Sequence, residues 1–202
     1  MDCIRVLLCG IWLLPLVTPC GALGADSLLD DPPPFAKGSR ELAITIGGGP
    51  GMAILGSTSP HDLSIAAIRY GRTISDVYAD DTYREGHWDF AAELFGGAQF
   101  SPQVRYVTGV LPMFRYNFTR WEPLVPFFDA GAGVTLTDIE GPDLSGIFQF
   151  HEQVGVGAHY LFAERTAITV QYRFMHISNA GIRLPNLGVN ANIFSAGITW
   201  FF

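Results

Sequence analysis

The chain lacks most of what would brace a soluble exported domain. Its three cysteines, Cys3, Cys9 and Cys20, all fall near the start, and none follows Cys20. That excludes a disulfide framework in the body of the protein. Charge is scarce, with Asp, Glu, Lys and Arg at 15% and only 12 Lys and Arg against 19 acids. The net charge of −7 is the wrong sign for a nucleic-acid partner, which calls for clustered cations. Beyond the first residues there is no apolar run of roughly 20 residues, so no transmembrane helix is expected. No glycine-rich phosphate loop and no converging His and carboxylate cluster is legible, and we expect no cofactor and no obligatory metal, with calcium from solvent left open.

What is present begins with "MDCIRVLLCGIWLLPLVTPCGALGAD". An early Arg5, an apolar run from Val6 to Val17 and the small residues Ala22 and Gly24 read as a secretory signal peptide over residues 1–24. A lipid-modified Cys20 is the alternative, disfavoured by Pro19 just before it. Residues 25–40 read as an extended periplasmic segment, because the consecutive Pro32, Pro33 and Pro34 exclude helix and ladder pairing. The remaining residues, 41–202, suit one domain.

Within that domain, period-2 alternation predicts strands near 41–56, 62–72, 87–99, 104–118, 124–137, 146–163, 166–178 and 190–202. Eight is an even number, and each run is long enough to cross a bilayer at a tilt. In 104–118, Tyr106, Thr108, Val110, Phe114, Tyr116 and Phe118 share one parity, against Gly109, Arg115 and Asn117. In 146–163, Phe148, Phe150, Val154, Val156, Tyr160 and Phe162 oppose Gln149, His151, Gln153 and His159. Polar faces of Gly, Gln, His and single charges suit the filled interior of a small barrel, and Glu93, Arg115 and Asp129 are candidates to pair inside it. The fold class expected is all-β, an eight-stranded antiparallel transmembrane β-barrel; a soluble periplasmic sandwich is the alternative. The final "NIFSAGITWFF" is similar to the closing strand of outer-membrane barrels, whose last aromatic, here Phe202, is read by the barrel assembly machinery. Location in the outer membrane of a Gram-negative bacterium follows, with loops near 57–61, 100–103, 138–145 and 179–189 facing outward. An interior filled by side chains argues against a diffusion pore.

One stretch breaks the apolar parity. In "QYRFMHISNAGIRLPNLGVN", His176 and Ser178 continue the lipid-facing parity of Tyr172 and Phe174, and Asn190 shares the parity of Phe194 and Trp200. Polar groups facing hydrocarbon are costly unless paired. Residues i and i+2 lie about 6.6–7 Å apart along a strand, so a Ser–His hydrogen bond is feasible. On its own, a His-x-Ser pair is more often an interfacial rim feature than a site.

The wider pattern narrows the reading. "HISNAGIRLPNLGVN" resembles the signature of the PagL-type lipid A 3-O-deacylases, through His176, Ser178, Asn179, Ala180, Asn186 and Gly188. The resemblance implies an outer-membrane acyl hydrolase acting from the barrel's outer wall at the outer-leaflet rim. Ser178 would be the nucleophile and His176 the general base, with Asn179, the backbone near Gly181 and Asn186 at the oxyanion and substrate. It also implies lipid A of lipopolysaccharide as substrate, cut at the ester-linked 3 position, amid outer-membrane lipid. The sequence departs where the family carries glutamate, here Asn190, which can orient an imidazole but cannot balance its charge. Glu152, on the lipid-facing parity of 146–163, should fall opposite His176 or Ser178 and is a candidate substitute acid. Arg183 in the last outer loop is a candidate for a lipid A phosphate, or is simply solvated; His151 and His159 are expected to be packed. The rival reading is a catalytically impaired or non-enzymatic structural or adhesin barrel of the same family.

Overall fold

The computed structural model describes residues 31–202; the expected signal peptide and residues 25–30 of the N-terminal segment lie outside them. Eight long strands form one antiparallel sheet: β1 Arg40–Gly49, β2 Asp62–Thr73, β3 Gly86–Ser101, β4 Arg105–Phe118, β5 Leu124–Thr137, β6 Phe148–Ala163, β7 Thr166–Ser178 and β8 Val189–Phe201. Neighbours in sequence pair in order, and β1 then pairs with β8, from Glu41 opposite Phe201 to Gly48 opposite Phe194, closing the barrel. Closure removes every sheet edge, the only way a sheet can satisfy its backbone in a bilayer.

The sidedness is inverted relative to a soluble protein. Outward Ile46 is 72% exposed and Phe194 58%, whereas inward Arg69 and Arg115 are 2% and 1% exposed. That pattern rules out the soluble sandwich, whose apolar face would be the buried one. Inside, Asp129 Oδ2 accepts from Arg115 Nη2 at 2.7 Å and from Arg173 Nη2 at 3.2 Å. Arg173 Nη1 donates to Glu93 at 2.7 Å, and Arg69 Nε to Glu41 at 2.8 Å. The expected trio of Glu93, Arg115 and Asp129 is thus one part of a longer ladder, joined through Arg173. Gly155 makes room for that link, since a Cβ there would lie 2.6 Å from Arg173 Cγ. His151 and His159 are buried in the interior, and His159 Nδ1 meets Thr169 Oγ1 at 2.8 Å.

The end where β1 starts and β8 finishes is stoppered by Phe35, 1% exposed, whose ring lies 4.7 Å from that of Phe201 and 5.8 Å from that of His159. The described part of the proline-rich segment, residues 31–39, therefore plugs this end. At the opposite end the first strand is shorter than expected. Pro50, which has no N–H to donate, ends β1, and only Gly51–Met52 continue the pairing, opposite Asn190 and Ala191 of β8. Residues 53–61 instead form an outer loop, L1, beside L2 (102–104), L3 (138–147) and L4 (179–188).

Candidate active site on the outer wall

Register brings the singled-out residues together. His176 is the Cα partner of Asn190 on β8 and of Glu152 on β6, and Ser178 is the partner of Phe150. The imidazole is therefore flanked by an amide on one side and a carboxylate on the other, and only one of them bonds it. His176 Nδ1 meets Asn190 Oδ1 at 2.7 Å. Glu152 is exposed and makes no hydrogen bond among the described residues. The expectation that Glu152 lies opposite His176 holds for the register.

The orientation of the Asn190 amide is set by its second contact. Its Nδ2 donates to the Ile54 carbonyl in L1 at 2.7 Å, so Oδ1 must be the atom facing the ring. An acceptor at Nδ1 requires the proton on that nitrogen and leaves the Nε2 lone pair free. Asn190 is fully buried although its parity points outward, because L1 folds over it. The ring is also backed from behind. Gly188 has φ +86°, and a Cβ there would stand 2.6 Å from His176 Cε1, so glycine at this position serves both the turn and the ring.

L4 is a tight loop organised by Asn179. Its Oδ1 accepts from the amides of Gly181 at 3.0 Å and Arg183 at 3.3 Å. Its Nδ2 donates to the carbonyls of Ser145 at 3.0 Å and Arg183 at 2.8 Å. The side chain is buried and spends both amide protons on the loop, so in this arrangement it has none left for an oxyanion. The Gly181 amide is likewise committed. Asn186 differs: its Oδ1 accepts from the Asn179 amide at 2.7 Å, which leaves its Nδ2 protons unclaimed among the described residues. The Ala180 N–H, in a left-handed turn at φ 53°, is also without a partner among them. Arg183 is exposed on L4 and makes no ion pair among the described residues. Ser178 is half-buried, and its hydroxyl makes no hydrogen bond to the imidazole among the described residues.

A residue that sequence reasoning missed holds the loops together. Asp143 in L3 is fully buried; its carboxylate accepts from the Thr58 amide and hydroxyl, both at 2.7 Å, from the Ser59 amide at 3.0 Å, and meets His61 Nε2 at 2.9 Å. Burial works against its charge, but these donors outweigh it and hold the carboxyl below its usual value. Nothing in the local sequence marks Asp143, because the partners of its carboxylate lie more than 80 residues away. A carboxylate group formed by Asp80, Asp81 and Glu85 sits in the turn between β2 and β3, away from these loops, with Arg120 bridging Asp81 and Glu85.

A closed eight-stranded barrel with apolar walls, a charged interior and a Ser–His–Asn group on its outer face is a barrel of the outer-membrane class. The chain belongs to the lipid A 3-O-deacylase (PagL) family, whose model matches residues 67–199. Among curated proteins it is 26% identical over 109 residues to the lipid A deacylase PagL of Pseudomonas aeruginosa, covering 52% of this chain and 60% of that one. It is 30% identical over 93 residues to lipid A deacylase PagL of Bordetella bronchiseptica, covering 45% and 48%. The chain thus spans about half to three-fifths of the length of these relatives. Among solved structures, Neisserial surface protein A superposes with TM-score 0.60 at 15% identity, over 82% of this chain and all of that one. The outer-membrane enzyme PagL does so with TM-score 0.50 at 17% identity, over 78% and 97%. At such identities the two structures speak for the fold alone.

Proposed function

We propose that the protein is an outer-membrane serine esterase that removes an ester-linked hydroxyacyl chain from the 3 position of lipid A. The observation that carries the reading is the 2.7 Å bond between His176 Nδ1 and Asn190 Oδ1, with the amide clamped by Ile54. It supports an imidazole held in the tautomer a general base needs. In the reaction, His176 Nε2 takes the Ser178 proton as Oγ attacks the ester carbonyl. The Asn186 amide and the Ala180 N–H are the donors available to the oxyanion, while Asn179 shapes the loop that presents them. Collapse returns the proton to the departing sugar oxygen, and water then releases the acyl group from Ser178 by the reverse sequence. Arg183, unpaired among the described residues, is suited to a lipid A phosphate. The acyl chain has an apolar path below the site, along Val156, Val170, Tyr172 and Phe194 on the outer wall. Such a site serves a substrate already in the membrane, at the level of the outer-leaflet rim.

The rival is an inactive barrel of the same family, favoured by the missing negative charge at Asn190. Mass spectrometry of lipid A from cells producing wild type, Ser178→Ala or Glu152→Gln separates the two. Loss of one hydroxyacyl chain with wild type and Glu152→Gln, and none with Ser178→Ala, is the expected result. Unchanged lipid A with the wild type overturns the proposal. Loss of activity in Glu152→Gln would return the acid's role to Glu152.

A further inference from the structure

We infer that Asp143 is a positioning residue for His176, acting through two arms that reach the imidazole from different sides. The inference rests on the proposed site, though not on which ester that site cuts. The first arm is the side chain. Its carboxylate gathers the Thr58 amide and hydroxyl, the Ser59 amide and His61, and so fixes the descending half of L1. The Ser57 amide donates to the Ile54 carbonyl at 3.1 Å within the same loop, and that carbonyl clamps Asn190 Nδ2 at 2.7 Å. Asn190 in turn bonds His176 Nδ1.

The second arm is the backbone. The Asp143 carbonyl accepts from the amides of Leu187 at 2.7 Å and Gly188 at 3.0 Å. Gly188 is the residue against which His176 Cε1 rests. One buried residue of L3 thereby holds both the partner of the ring and its backstop.

His61 reinforces the first arm. Gln99 Nε2 donates to the Gln103 carbonyl at 2.9 Å, so its Oε1 is the atom facing His61 Nδ1 at 2.6 Å. With Asp143 Oδ2 at Nε2, the ring is held from both sides, between L3 and β3. The arrangement matters more here than it would beside a carboxylate. An amide partner holds a histidine by geometry alone, with no charge attraction to draw the two together, so whatever fixes the amide fixes the base.

The test compares Asp143→Ala with wild type in three readouts, on barrels whose folding is verified by their altered gel mobility without heating. On purified lipid A in mixed micelles, kcat should fall on the order of 10²-fold, with KM changed by less than about threefold. In histidine-labelled protein, the Nδ1–H resonance of His176 should broaden or vanish. In an Asn190→Ala background, adding Asp143→Ala should cost less than about threefold in kcat, because the arm then ends on a missing group. A merely structural role predicts full additivity and an unaltered His176 resonance, and either result overturns the inference. If the wild type shows no hydrolysis, the proposed function fails. The resonance then decides the inference alone: its loss in Asp143→Ala supports positioning and its persistence refutes it. Should Asp143→Ala not close into a barrel, Thr58→Val removes one donor to the same carboxylate. It should broaden the same resonance and lower kcat about 3- to 10-fold by loosening the base; an unchanged signal counts against the inference.

Discussion

Asn190 stands where the family motif carries a carboxylate, and its surroundings are built for an amide. Oδ1 accepts from the imidazole and Nδ2 donates to Ile54, so the two halves of the side chain meet opposite requirements. A carboxylate in the same place would set one oxygen against the Ile54 carbonyl, acceptor to acceptor. Asn190→Asp should therefore weaken L1 rather than repair the site. Losing the Asn190–Ile54 hydrogen bond costs about 0.5–1.5 kcal/mol, so exchange of the Ser57 amide, which shares that carbonyl, should accelerate roughly 2- to 13-fold. Unchanged exchange would mean that the clamp bears no weight. At this scale the sequence displayed His176 and Ser178 through their parity, and Gly188 through the motif. It left Asn190 and Glu152 as competing partners because both are register neighbours of His176. Asn179 read as an oxyanion donor, yet its amide is consumed by the carbonyls of Ser145 and Arg183. Only the fold of L4 reveals that.

Strands and loops differ in how far they could be read. Strands carry a period of two that survives in the sequence, and the observed ends of β4, β5 and β7 fall within one residue of those expected. The first strand overran because apolar residues continue past Pro50, where the backbone can no longer pair along its full length. Outer loops carry no period, and their structure comes from contacts such as Asp143 with L1. That contact has a pH signature. A carboxyl held below its usual value contributes stability that is fully present above the unfolded value, about 3.9, and is lost as pH falls through the folded one. Protection of the Thr58 and Ser59 amides, relative to their intrinsic exchange rate at each pH, should thus be high near neutrality and fall below about pH 4, while strand amides stay protected. Asp143→Asn should abolish that acid-induced step. A step that persists in the variant would assign it to another carboxyl.

For the whole barrel, the interior ladder is the largest commitment of charge. Asp129 is shared by Arg115 and Arg173, and the Arg115 guanidinium also lies 3.7 Å from the centre of the Phe127 ring. Removing the shared carboxylate leaves two buried guanidiniums facing each other. Asp129→Ala should cost about 3–5 kcal/mol in urea unfolding of the barrel in lipid vesicles, without touching the outer-wall site. A change under about 1 kcal/mol would show that water or counter-ions carry the charge instead. The sequence pointed to Glu93, Arg115 and Asp129 as interior, since each has the inward parity of its strand. Arg173 too has the inward parity of its strand, but which acid meets which arginine depends on the stagger between strands, and that is why its pairing with Glu93 and Asp129 and the Arg69–Glu41 pair were not foreseen.

The sequence by itself determined the all-β class, the near-complete strand plan and the two faces of each strand. These follow from local rules, because side chains alternate along a strand and a bilayer demands that the outer set be apolar. It also determined that a histidine and a serine would stand on the outward face. Tertiary structure decided what orients that histidine, which loop amides are free and which charges meet inside the barrel. Those outcomes depend on closure of β1 against β8 and on loops distant in sequence meeting over one end of it. No alternation or short motif encodes such meetings, since each partner is ordinary in its own neighbourhood and acquires its role only when the chain brings the other beside it.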